Sequence, residues 1–94
     1  MTTQTTSVIF GAIRDQRGNP VAKARVSFVV GPVRLPDIAA LTDISGKFAL
    51  SAPVAGEYII EVVSDEFVTD KVKIEVESNQ EKHIEIRLSR SREG

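Results

Sequence analysis

The chain has 94 residues and a formal net charge of −1, from 12 Lys and Arg against 13 Asp and Glu. A chain of this size makes one domain and buries roughly 60–68% of its unfolded surface, enough for a single core. The near-neutral balance gives no field to draw in nucleic acid or an anionic membrane, and the absence of cysteine removes disulfides, thiolate metal sites and thiol nucleophiles together.

No stretch approaches the ~18 apolar residues of a membrane helix, so membrane insertion is not expected. Met1 to Ser7 carries neither the basic start nor the apolar core of an export signal. That places the protein in the cytoplasm if Met1 is the native start, and outside or on the surface if the sequence is cut from a longer chain. Residues 1–6 read as a flexible lead, 7–88 as the domain and 89–94 as a flexible tail, in which Arg90 and Arg92 are solvated.

Seven short strands are predicted in chain order, at about 7–14, 24–30, 38–42, 46–51, 57–63, 68–77 and 82–88. Val, Ile and Thr dominate them, and these residues fit a pleated surface better than a helix. A period of two assigns the faces. In the first strand Ile9 and Ile13 point in, and Gly11 between them leaves room for a neighbour packing across it. Gly18-Asn19 can take positive φ and Pro20 stops the ladder. In the second, Ala24, Val26, Phe28 and Val30 share the inner side. The prolines of the 31–36 stretch forbid pairing, which makes it a surface excursion joining two edges. Asp43 and Gly46 suit the first and fourth positions of a type I turn. Phe48 is core, and Tyr58 is an inward ring whose hydroxyl reaches backbone at the sandwich end. Val72, Ile74 and Val76 alternate with Lys71, Lys73, Glu75 and Glu77. Ile84, Ile86 and Leu88 alternate with His83, Glu85 and Arg87. These last two runs read as half-buried antiparallel strands, joined by the hairpin-length turn Ser78-Asn79-Gln80-Glu81. The fold class is all-β: a seven-stranded, Greek-key-like β-sandwich.

The segments Gly11-Ala12-Ile13-Arg14-Asp15, Gly18-Asn19-Pro20-Val21, Ala24-Arg25-Val26, Thr42-Asp43, Gly46-Lys47-Phe48 and Gly56-Glu57-Tyr58 stand in an order that resembles the carboxypeptidase regulatory-like domains. The resemblance runs from about Ile9 to Leu88 and implies a sandwich of the prealbumin (transthyretin-like) type. It also implies an accessory module, since family members are usually appended to peptidases, transporters, adhesins and surface proteins, and the motif residues carry folding rather than chemistry. One departure is Lys23, where the family more often has glycine; it suggests a less strained turn. The transthyretin-like hydrolases use several histidines and a C-terminal Tyr-Arg-Gly-Ser. This chain has one histidine and ends Ser89-Arg90-Ser91-Arg92-Glu93-Gly94, so that activity is not expected.

No catalytic constellation stands out. His83 falls on the outward face, where a solvated imidazole outweighs a catalytic base. Asp43 with Ser45, and Asp15 with Asn19, lack the oxygen density of a tight calcium loop and are explained as turn caps. No cofactor or metal is expected. A Lys82–asparagine crosslink, as in the similar adhesin sandwiches, lacks a facing partner, because Asn19 and Asn79 both lie in turns. The apolar residues left over once the core is assigned are Val8, Phe10, Val29, Ile59 and Val63. If contiguous they mark an interface with another protein or a second copy. The alternative is that the 31–41 excursion covers them with Val33, Leu35 and Ile38. The expected role is therefore a non-enzymatic structural or interaction module of a larger assembly. The alternative role is carbohydrate or peptide binding by the loops at one end, for which Phe67 is the one aromatic a loop could present.

Overall fold

In the computed structural model, which describes residues 6–35 and 39–90, the chain folds into β1 (Ser7–Asp15), β2 (Arg25–Val30), β3 (Ala40–Leu41), β4 (Lys47–Ala52), β5 (Gly56–Val63), β6 (Asp70–Val76) and β7 (Glu81–Leu88). A three-stranded sheet in the order β4-β1-β7 faces a four-stranded sheet in the order β3-β2-β5-β6. The chain changes sheets after β1, β3, β4 and β6, which is the all-β sandwich expected from the alternation. Strand pairs are antiparallel except β1 with β7, which run parallel.

Alternation works as the sequence implies. Ile9, Ile13, Phe48, Ala52, Ile86 and Leu88 from one sheet meet Val26, Tyr58, Ile60, Val62, Ile74 and Val76 from the other, all buried. Gly11 stands opposite Phe48 in the β1–β4 register, and the Phe48 ring occupies the space a side chain at Gly11 would need. Tyr58 is fully buried; its hydroxyl donates to the Val54 carbonyl at 2.6 Å and accepts from the Val54 amide at 3.3 Å. In the turn before β4, Asp43 accepts the amides of Ser45 and Lys47 at 2.9 Å each, and Gly46 takes a φ of 76°.

Five expectations change. The turn after β6 is not a hairpin: β7 leaves for the other sheet and pairs with β1, so two consecutive alternating strands are not partners. Val30 does not share the inner face with Phe28. A bulge between them places Val30 opposite Ile59, 53% exposed. The 31–39 connection joins β2 to its own neighbour β3 within one sheet rather than two sheet edges; the predicted start of that strand at 38 lies outside the described residues. Lys23 does not relax its turn but adopts a φ of 63°, in the left-handed region. It is held there because its amide donates to the Thr42 carbonyl, while the buried Thr42 hydroxyl bonds both Val21 O and Ala24 N. Finally, Ser89 and Arg90 are not free tail. The Ser89 carbonyl accepts from Val68 N at 2.8 Å, and Arg90 pairs with Glu66 at 2.8 Å. Arg92 lies outside the described residues.

Candidate functional site

The five leftover apolar residues divide between opposite outer faces. Val8 and Phe10 lie on the outer face of the three-stranded sheet, where Phe10 is flanked in register by Ala49 and His83. The Phe10 and His83 rings stack with centroids 5.3 Å apart, which leaves Phe10 37% exposed. Charges follow further along this face, with Glu85 between Arg14 at 3.9 Å and Arg87 at 3.2 Å. His83 is outward, as its parity requires, and its neighbour is an aromatic ring rather than a nucleophile.

Val29, Ile59 and Val63 lie on the four-stranded sheet. Val63 stands beside Arg25, which separates it from Leu41 on β3. Val29 and Ile59 form the start of a larger group. The bulge in β2 presents two consecutive valines, Val29 at 44% and Val30 at 53% exposure, and Val30 pairs with half-buried Ile59. Val33, from the segment after Gly31, lines the same shallow cleft as Val29 and Val30. Beside Ile59 across the β5–β6 ladder is Lys73, whose ammonium lies 3.8 Å from Glu57 and gives the patch a charged border.

Among the described residues, the excursion does not cover this group. Leu35 packs against the core, Val33 stays exposed, and Ile38 lies outside the described residues. Val30 and Val33 were missed by strict alternation. The only hint was the unbroken apolar run Phe28-Val29-Val30 directly before Gly31-Pro32, where a strand ending can bulge.

Phe67 is half-buried and packs against the core, as a plug at the sandwich end would. The Arg90 guanidinium lies over its ring, 5.0 Å from the centroid, held by Glu66. The two acidic turns are occupied by their own backbone. Asp15 accepts the amides of Arg17 and Asn19 at 2.9 Å each, and Asn19 Nδ2 at 3.4 Å. The Asn19 amide is the main influence holding the Asp15 carboxyl below the usual range. Desolvation opposes it, and the Arg17 amide, the Asn19 side chain and the Arg90 charge act in the same direction as the Asn19 amide. Among the described residues no group of three or more His, Cys, Asp or Glu is placed to hold a metal ion. Lys82 is the second residue of β7, opposite Ile9, while Asn19 is engaged with Asp15 and Asn79 sits in a left-handed turn.

Two sheets of short strands closed around one core, with turns tied by their own carboxylates, define a β-sandwich module. The family follows from the sequence itself: residues 8–89 match the carboxypeptidase regulatory-like domain, and the chain belongs to that family. No curated protein matches it. Solved structures share the fold at low identity. A type II Cohesin-X-Dockerin complex from Acetivibrio cellulolyticus superposes with a TM-score of 0.67 at 18% identity, over 87% of this chain and 56% of that one. A streptococcal ancillary pilin gives 0.68 at 14%, over 95% of this chain and 34% of the pilin. Hydroxyquinol 1,2-dioxygenase from Pseudomonas putida DLL-E4 gives 0.73 at 8%, over 97% and 58%. This chain thus spans little more than half of the cohesin-complex chain it matches. Such a spread of proteins on one scaffold shows the fold alone.

Proposed function

We propose that the protein is a non-enzymatic interaction module, an accessory part of a larger assembly, that docks through the apolar patch Val29, Val30, Val33 and Ile59. The observation that carries this reading is the β2 bulge, which turns two adjacent valines to solvent where regular pairing would have buried one of them. A bulge that exposes apolar surface gives up hydrophobic stabilisation, and such features are kept where they aim side chains at something. Membership of a family of accessory domains, and a cohesin–dockerin complex and a pilin among proteins of the same fold, agree with it. Loop binding of a carbohydrate is less well served, because Arg90 covers the single loop aromatic.

Photo-crosslinking in the cells that make the protein tests the reading, with a photoreactive residue at position 30 and a control at Ile44, a lone apolar side chain 87% exposed. The expected result is a discrete adduct from position 30 and none from position 44. An adduct of twice the chain mass identifies self-association. No adduct at position 30, or the same adducts from both sites, counts against this patch.

A further inference from the structure

We infer that the domain is also built to bear tension along its length, with the β1–β7 ladder acting as a shear clamp. The two outermost strands in the sequence lie side by side and parallel, in register through eight pairs from Val8 with Glu81 to Asp15 with Leu88. Because they are parallel, the chain enters the ladder at one end of the sandwich and leaves it at the other. Pulling on the two flanks therefore slides β1 along β7 instead of peeling it away. Rungs loaded by sliding share the force and must fail together, whereas rungs loaded by peeling fail one at a time.

Side chains reinforce the rungs. Ile9 and Ile13 from β1 and Ile86 and Leu88 from β7 are locked in the core. A slip of one residue would turn the sliding strand's inner set toward solvent, so the first step of sliding reaches no stable register. Both exit points are also pinned outside the ladder. At the entry, the buried Ser7 hydroxyl donates to the Glu77 carbonyl and accepts from Gln80 N at 2.8 Å, while Val8 N donates to Gln80 O at 2.9 Å. At the exit, Val68 N holds Ser89 O, and Arg90 is anchored on Glu66 and the Phe67 ring. The load path runs through the three-stranded sheet, whereas the Val29–Val30 patch lies on the other sheet, so this inference stands apart from the docking proposal. A domain of this kind would hold two attached bodies together under pull.

Single-molecule pulling in two directions tests it, and the cysteine-free chain makes site-specific attachment direct. Thr6→Cys with Ser89→Cys loads the ladder in shear; Thr6→Cys with Glu81→Cys loads the same ladder from one end. All three positions are exposed. At one pulling speed, the expected result is rupture at several-fold higher force in the shear pair, in a single step, with matching thermal melts for both pairs. Forced unfolding reports the unfolding barrier along the pulled direction, so equal melts with unequal forces isolate geometry. Equal forces in the two directions, or a weaker shear pair, overturn the inference. If Ser89→Cys disturbs folding, the unsubstituted chain held through handles fused to both ends supplies the shear value. A force no higher than that of the peeling pair is then the overturning result.

Discussion

Replacing Gly11 with alanine adds one methyl group where a ring already sits, and two opposing effects decide the outcome. Gly11 has no positive φ, so alanine is compatible with its strand backbone. Restricting the unfolded chain would then stabilise the protein by about 0.4–1 kcal/mol. Against that, a Cβ at Gly11 would overlap Cε1 and Cζ of Phe48 and lie 3.2 Å from Ile84 Cγ1. Comfortable carbon contacts are ~3.5–4.0 Å, so the ring must shift within a packed core, and overpacking of this kind costs ~1–3 kcal/mol. The clash wins, with a net loss of about 1.3 kcal/mol at mid-range. For a domain this size, that lowers the melting temperature by roughly 5–10 °C. The chain has no tryptophan and a single tyrosine, so far-ultraviolet circular dichroism is the suitable readout for thermal and urea unfolding. Phe48→Leu should relieve the overlap, making the two substitutions non-additive by ~0.5 kcal/mol or more in a double-mutant cycle. A Gly11→Ala protein as stable as the parent, or strict additivity with Phe48→Leu, would refute the packing argument.

Lys23→Gly should raise stability by about 0.5–1 kcal/mol, read from the urea midpoint, because left-handed strain relieved at φ 63° exceeds the added freedom of glycine in the unfolded chain. Tyr58→Phe removes the hydroxyl that serves both Val54 backbone groups, and should cost about 1 kcal/mol while leaving the strand content seen by circular dichroism unchanged. Asp15→Asn should destabilise the domain at neutral pH. The lowered Asp15 pKa means the unfolded chain takes up its proton first as pH falls. Its contribution is therefore complete above the ordinary carboxylate range and is lost as pH drops through the folded value. Urea titrations of parent and variant should converge in acid, and a stability difference independent of pH would rule out the carboxylate as its source.

Alternation in the sequence reports which way a side chain points, and at that level most of the fold was legible. The inner residues of β1, β4, β5, β6 and β7, the Gly11 gap under Phe48 and the Tyr58 anchor all follow from a period of two and from residue size. Alternation carries no information about which strand lies alongside. The runs 70–76 and 81–88 look alike and are separated by a short turn, yet their hydrogen bonds go to different sheets, because Gln80 and Glu77 are tied to Ser7 and steer β7 onto β1. The same blindness hid the features behind both proposals. A single bulge reverses parity at Val30, and nothing in Val29-Val30 itself announces the extra residue; it is set by the pairing of β2 with β5. Lys23 shows the converse, since its residue type argued for a relaxed turn while the Thr42 bonds impose a left-handed one. What decided the proposed docking patch and the proposed load path was thus long-range register. A sandwich with the same inward residues but β7 beside β6 would have an equally plausible core and no shear clamp between its ends.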